Sequence, residues 1–373
     1  MKKSYFNDLK CRLLALSLLA CLSILPSARA GKPVPGQRWT EDQANEWYAQ
    51  LPWLIGCNYI PATAINQIEM WSKATYDPKQ IDKELGWAEK LGFNTLRVFL
   101  SSVVWQHSPS ELKDNMKDFL NICQRHGIKP FFVFLDDNWL AESSYGRQPA
   151  PKPGVHNSGW VKDPAISLRS DTTKLYPMLR RYMIDVISSF RNDDRILMWD
   201  IYNEPGAQHI GVVSLDLLKH TYQWAREAKP TQPITSCICE MGAENVKLQA
   251  YQLTHNDVNT YHNYKDAKDQ QEMIKYLRML DRPLICTEYM ARKFDSRFTN
   301  VLPVLKANHV GAINWGFVAG KTNTNFAWGD PQPDKREPEL WFHDIYRTDG
   351  TPFSQEEVDT IRSLTHDNPA IYK

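Results

Sequence analysis

The sequence predicts an α/β fold, a single-domain (β/α)8 barrel. Three observations carry this. Short β-rich apolar runs alternate with longer stretches of helical spacing, the runs are nearly continuously apolar, and there are eight of them. The strand candidates are Leu54–Asn58, Thr95–Leu100, Pro130–Leu135, Ile196–Tyr202, Ile234–Ile238, Val258–Tyr261, Leu284–Thr287 and Ala312–Gly316. Helical patterns fall between them at Pro78–Leu91, Leu112–His126, Lys174–Arg191, Leu215–Ala228, Gln270–Leu280 and Phe298–Ala307. Several end on turn signals such as Leu91-Gly92, His126-Gly127 and Lys229-Pro230. A strand apolar on both sides needs cover on both faces, the setting of a parallel sheet between helices. Eight such strands favour closure. An open doubly wound sheet would call for a Gly-rich phosphate turn after an early strand, and none is present. The length of 373 residues also suits a barrel of this kind.

Two connections stand out. The stretch Asp136 to Asp171 is rich in Pro, Gly, Ser and Asn and follows the third strand; Lys321 to Glu339 follows the eighth. Loops this long are usually functional, and in a barrel they stand at the catalytic mouth. Before the first strand, Gln37–Leu51 fits a helix plugging the barrel bottom or a packing arm.

Composition narrows the function. The net charge of +1 offers no basic footprint for nucleic acid. The chain carries 13 Trp, 16 Tyr and 14 Phe. Many aromatics of this kind fill cores, but an excess of Trp also suits sugars, whose apolar faces stack on indoles.

The N-terminus reads as a bacterial-type signal peptide. Lys2, Lys3, Lys10 and Arg12 precede an apolar run from Leu13 to Leu25, which is shorter than a bilayer span. Ala28-Arg29-Ala30 then fits a cleavage site. The expected organisation is a signal peptide over residues 1–30 and a catalytic domain over 31–373, exported to the periplasm or the exterior. Leu18-Leu19-Ala20-Cys21 also resembles a lipobox, which makes a lipid anchor at Cys21 the alternative. Continuation of the apolar run through Leu22, Ile24 and Leu25 favours plain cleavage. No other stretch is long and apolar enough to span a membrane. Cleavage leaves Cys57, Cys123, Cys237, Cys239 and Cys286, an odd number that does not form a disulfide framework.

Catalytic residues of such barrels sit at the C-terminal ends of strands. Two acids follow apolar runs there: Glu204 in Trp199-Asp200-Ile201-Tyr202-Asn203-Glu204-Pro205, and Glu288 in Leu284-Ile285-Cys286-Thr287-Glu288-Tyr289. These end strands four and seven. Two carboxyls facing one cavity can divide glycoside cleavage, one donating a proton to the leaving oxygen and the other attacking the anomeric carbon. Arg97, near the end of the second strand, is the candidate for holding the attacking carboxylate ionised.

Gly56-Cys57-Asn58, Asn94-Thr95-Leu96-Arg97, Asn203-Glu204-Pro205, His262-Asn263-Tyr264, Thr287-Glu288-Tyr289 and Asn314-Trp315-Gly316 occur in this order, each at a strand end. The set resembles the large clan of retaining glycoside hydrolases with catalytic Glu on strands four and seven, and most of all the family 5 cellulases and mannanases. The similarity runs from about Leu54 to Gly316. It implies Glu204 as acid/base, Glu288 as nucleophile, Arg97 beside the nucleophile and Asn203 on the sugar 2-hydroxyl. It also implies that His262 and Tyr264 support the pair, with Tyr264 contacting the nucleophile, and that Trp315 is the platform under the sugar. One departure is Asp136-Asp137-Asn138-Trp139, where family 5 enzymes often carry a His. The paired Asp136 and Asp137 fit sugar-hydroxyl binding, a hard cation or the start of a turn, and the lack of a further acid cluster nearby favours hydroxyl binding or the turn; Trp139 is expected among the substrate-binding and supporting residues. The implied activity is that of a retaining β-glycosidase acting on a β-linked oligo- or polysaccharide. The alternatives are transglycosylation at the same site and a non-catalytic glycan-binding barrel. No metal or other cofactor is required by this chemistry.

Overall fold

The computed structural model describes residues 31–239 and 245–372. The expected signal peptide, its cleavage site and Cys21 lie outside the described residues. The eight strands are β1 (Ile55–Asn58), β2 (Thr95–Phe99), β3 (Phe131–Asp136), β4 (Trp199–Asn203), β5 (Ile234–Thr235), β6 (Asn259–His262), β7 (Leu284–Glu288) and β8 (Gly311–Asn314). They run parallel in the order β5-β4-β3-β2-β1-β8-β7-β6. Closure between β5 and β6 rests on one isolated bridge, Ile238 with Tyr261. Ile238 N donates to Thr260 O at 2.8 Å and His262 N donates to Ile238 O at 3.0 Å.

Every predicted strand is present, and the differences at its ends have causes. β5 is shorter than Ile234–Ile238 because Ser236 N bonds the Asn256 side chain at 2.8 Å instead of a neighbouring strand. The run Ile196–Met198 precedes β4. Leu197 and Met198 are apolar because they pack into the barrel bottom with Leu54, Phe131, Ile285 and Ile313. The segment before β1 is the expected plug: Thr40 and Gln43 form a capping box for the helix Glu41–Ala49, and Tyr48 enters that bottom cluster.

The main covering helices are close to those expected. Pro78–Lys90 starts on an Asp77 cap, Pro109–Arg125 on a Ser108 cap and Ala267–Leu277 on an Asp266 cap. Thr172–Phe190 and Ser214–Glu227 follow β3 and β4, and Val301–Ala307 precedes β8. The helices Gln67–Trp71, Ser102–His107, Val246–His255 and Gln355–Thr365 were not predicted. The first two are too short to show helical periodicity. Cys57, Cys123, Cys237 and Cys286 are buried, and no disulfide forms among the described residues.

Gly56 marks the tightest approach in the sheet. A Cβ there would meet the Thr95 carbonyl oxygen at 1.8 Å. Backbone on both sides cannot yield without breaking the β1–β2 ladder. Gly56→Ala is therefore expected to destabilise the fold by about 3 kcal/mol, read as a lowered midpoint in urea unfolding. An unchanged midpoint would contradict this packing.

Candidate active site

Arg97 is wholly buried in β2. Its Nε and Nη2 reach Asp200 Oδ2 at 2.9 and 2.8 Å. Nη1 donates to Asn58 Oδ1 at 3.0 Å and to Glu288 Oε1 at 2.8 Å. Nη2 donates to Asn203 Oδ1 at 2.7 Å. Side chains from β1, β4 and β7 thus converge on one cation. Asp200 explains how Arg97 can be buried at all, since an interior charge must be paired.

Glu204 follows β4 with φ of +43°, the left-handed region. That kink takes the residue out of the strand line. Its N–H donates to Cys237 Sγ at 3.1 Å, and its carboxyl accepts from His262 Nδ1 at 2.5 Å and Asn138 Nδ2 at 2.9 Å. Glu288 ends β7. Besides Arg97, its Oε2 accepts from Tyr264 OH at 2.7 Å and lies 3.4 Å from His262 Nδ1. His262 and Tyr264, two residues apart, therefore reach the same carboxyl pair, as their spacing implies. Both neighbours of His262 Nδ1 are carboxyl oxygens, so that nitrogen carries the proton.

The electrostatics follow from burial and pairing. Burial lowers His262 to about 4, which keeps the imidazole neutral. Burial, then the Glu204 charge, push the Glu288 carboxyl well above its ordinary value against the pull of Arg97 and Tyr264. Burial also opposes ionisation of Glu204, but the His262 and Asn138 hydrogen bonds outweigh it and hold that carboxyl low. In the free site the proton of the pair thus favours Glu288. Arg97 does touch Glu288, as expected from sequence, but its charge is shared with Asp200 and does not overcome burial.

The two acids open on a cavity of about 580 Å3. Trp315 lies in its lining, only 8% exposed, with its ring edge-on to Phe99 and Trp160 at 5.8 and 5.7 Å. Trp139 also lines the cavity, and its backbone N–H donates to Gln208 Oε1 at 2.9 Å. The two aspartates after β3 differ. Asp136 lines the cavity, accepting from Asn203 Nδ2 at 2.9 Å and Trp160 Nε1 at 2.8 Å, and burial raises it to about 6. It orients Asn203 from the side opposite Arg97.

Asp137 departs from the expected hydroxyl-binding role. It is fully buried off the cavity and is saturated by Arg169, Tyr202 OH, Gly206 N and Ser214 Oγ at 2.6 to 2.7 Å. It clamps the turn after Glu204 and has no lone pair left for a sugar. Asn138 was overlooked as a site residue, and so was Asp200. A charged residue inside an apolar strand was the available signal for Asp200, because such a residue demands a buried partner.

Donor atoms of Glu204, His262 and Glu288 lie within 4.8 Å of one another, close enough to offer ligands to a cation. The set fits a metal poorly. Arg97 already occupies Glu288, and a divalent ion there would face a guanidinium at ion-pair distance.

A family model described as glycosyl hydrolases family 2, TIM barrel domain, matches residues 115–303. The chain belongs to this glycosyl hydrolase family. No curated protein matches it. Solved structures match across most of both chains. A GH5_18 variant from Streptomyces cattleya in complex with Manβ1-4GlcNAc aligns at TM-score 0.57 and 13% identity, covering 85% of this chain and 82% of that one. A glycoside hydrolase family 5 mannosidase from Rhizomucor miehei aligns at TM-score 0.52 and 14% identity, covering 85% and 92%. An endo-β-1,4-mannanase from Thermotoga petrophila aligns at TM-score 0.54 and 13% identity, covering 84% and 76%. The resemblance to (β/α)8 glycoside hydrolases, with family 5 structures among the fold relatives, is borne out. Among the described residues no helix is long and apolar enough to cross a membrane.

With Glu204 and Glu288 as the candidate catalytic pair, activity would need one proton shared between them. Glu204 lies below its ordinary value, so a second proton binds, and activity falls, only as pH drops below about 4.3. Glu288 lies well above, so the single proton is lost, and activity falls, only as pH rises beyond that value. The pH profile of kcat/KM on an activated aryl β-glycoside is expected to be a bell with limbs on opposite sides of about pH 4.3. Both limbs below it would contradict the assignment. Saturating EDTA is expected to leave the rate unchanged.

Proposed function

We propose that the protein hydrolyses β-linked glycans or glycosides with net retention, using Glu204 as acid/base and Glu288 as nucleophile. The spacing of the pair carries this reading. Oxygens of the two carboxyls lie within 4.8 Å, near the roughly 5–5.5 Å of retaining enzymes. An inverting site needs roughly 6.5–9.5 Å to admit a water between them.

The steps follow from the geometry. A sugar resting on Trp315 brings its anomeric carbon to Glu288 and its glycosidic oxygen to Glu204. The electron-poor carbon favours an ionised Glu288, and the oxygen favours a protonated Glu204. Substrate thus reverses the preference of the free site, and His262 Nδ1 lies between the two carboxyls. Glu288 then bonds the anomeric carbon while the carbon–oxygen bond breaks and the Glu204 proton passes to the leaving oxygen. Water next gives a proton to Glu204 and attacks the same carbon, which frees Glu288. Asn203, gripped by Arg97 and Asp136, presents its remaining N–H to the sugar 2-hydroxyl, where the bond strengthens in the transition state. The mannosidase and mannanase among the fold relatives make β-mannosides the first substrates to test. Export to the periplasm or exterior rests on the N-terminal sequence pattern alone.

Glu288→Ala is expected to lose turnover by roughly 10^4-fold or more. Glu204→Ala should lose about 10²–10⁴-fold on unactivated glycosides and far less on activated aryl glycosides, whose leaving groups need no proton. NMR of the first product should show the β-anomer. Release of the α-anomer, or full activity in Glu288→Ala, would overturn this reading.

A further inference from the structure

Glu204 stands just past the sheet on both sides. The β4–β5 register runs Trp199 with Ile234 and Asp200 with Thr235, and the β3–β4 register ends at Asp136 with Asn203. Beyond these pairs the chain turns out of the strand line at Glu204, whose φ is +43°. An L-residue keeps such a conformation where its surroundings impose it.

Side chains after β5 take over from the ladder. Ser236 Oγ donates to Tyr202 O at 2.8 Å, and two residues further on the Glu204 N–H donates to Cys237 Sγ at 3.1 Å. The thiol in turn donates to Asn203 Oδ1 at 3.5 Å, and Arg97 Nη2 lies 3.9 Å from the sulfur. One sulfur thus touches the acid, the residue before it and the buried cation. Sulfur is a weak donor and a weak acceptor, but a buried peptide N–H needs an acceptor, and here Cys237 supplies it.

Cys237 is itself firmly held. It is fully buried, and its carbonyl accepts from Gln252 Nε2 at 2.6 Å. The same nitrogen donates to Ser236 Oγ at 3.0 Å. The next residue, Ile238, makes the bridge to β6. Burial pushes the Cys237 thiol well above its ordinary value, so the sulfur keeps its proton and adds no charge beside the acids.

The remaining contacts of Glu204 lie elsewhere on the residue. His262 and Asn138 grip the carboxyl, and Ala207 N donates to the Glu204 carbonyl at 3.0 Å. A general acid must reach its leaving oxygen within hydrogen-bond distance, and a small swing of a strained peptide is carried to the tip of the side chain.

The geometry points to Cys237 as a positioning residue of the acid/base: its sulfur holds the left-handed Glu204 peptide and so aims the carboxyl at the leaving oxygen. This rests on the β-glycosidase reading above.

The test uses aryl β-glycosides of the sugar that is cleaved, with leaving groups running from dinitrophenyl to unsubstituted phenyl. Only the poorer leaving group needs the Glu204 proton, and kcat/KM reads the steps up to its departure. Cys237→Ala removes the acceptor. It is expected to lower kcat/KM on the phenyl glycoside about 10- to 100-fold and on the dinitrophenyl glycoside less than about threefold. Cys237→Ser keeps an acceptor and should recover the phenyl glycoside to within about fivefold of wild type. Should Cys237→Ala lower the unfolding midpoint, Cys237→Val, which fills the space without an acceptor, carries the same comparison. Equal losses on both substrates, or no loss on the phenyl glycoside, would overturn the positioning role and leave the glycosidase reading intact. No turnover of any aryl β-glycoside by the wild-type protein would overturn both.

Discussion

The buried guanidinium of Arg97 is the constraint on which the mouth of the barrel depends. It holds Asp200 and Asn203 of β4, Asn58 of β1 and Glu288 of β7 in one plane of hydrogen bonds. Parallel strands fix their neighbours through backbone ladders but leave side chains across the barrel unlinked. Arg97 supplies that link, setting the nucleophile candidate relative to the strand that carries the acid. A lysine could not replace it, because one ammonium on a flexible stem cannot span four partners in a fixed plane. Among the described residues the β5–β6 side is closed by the single Ile238–Tyr261 bridge, whereas the Arg97 network links side chains of β1, β4 and β7.

The same network sets the protonation of the site. Asp200 and Glu288 contact one guanidinium, Glu204 lies in its field and Asp136 reaches it through Asn203, while the neighbouring His262 is kept neutral by burial. Four carboxyls cannot all ionise against one cation in a dry interior. Burial raises Asp136 to about 6 and pushes Glu288 well above its ordinary value. The site therefore stores a proton as a consequence of its composition. In the proposed mechanism the chemistry decides where that proton stands during turnover, because the two acids would face different things: a developing cation for Glu288, a departing oxygen for Glu204.

Much of this was legible in sequence, and the exceptions have physical causes. Eight apolar runs announced the barrel because parallel strands are buried on both faces. Glu204, Glu288, Arg97, His262, Tyr264 and Trp315 were found because each stands at or near the end of such a run. Asp136 and Asp137 looked alike, yet adjacent residues of an extended chain point to opposite sides. One therefore meets the cavity and the other meets Arg169. The joining of the loops after β1, β3 and β8 was not legible. Three of the bonds between them run from backbone to backbone, which any residue supplies, and the others pair Asn66, Gln67, His156, Asn323 and Trp328 with partners far along the chain, which no local pattern signals. Only the unusual length of the loops after β3 and β8 hinted at a role.

Among the eleven described non-glycine residues with positive φ, two kinds of place recur. Asp281 and Asp295 take left-handed φ angles where they end short helical turns, a common way to terminate a helix. Glu204, Trp139 and Asn157 also have positive φ, but all three line the cavity. Glu204 needs its kink to leave β4 and face Glu288. Asn157 is held at +47° by the Thr322 carbonyl while both atoms of its amide go unpartnered. Strain of this kind costs about 1–3 kcal/mol per residue, and a buried orphan polar group costs about 1–3 kcal/mol more. Other buried polar atoms go unpartnered away from the cavity, Tyr182 OH and Trp341 Nε1 among them, so such costs are spread through the fold, and at Glu204 the strained backbone coincides with the acid pair.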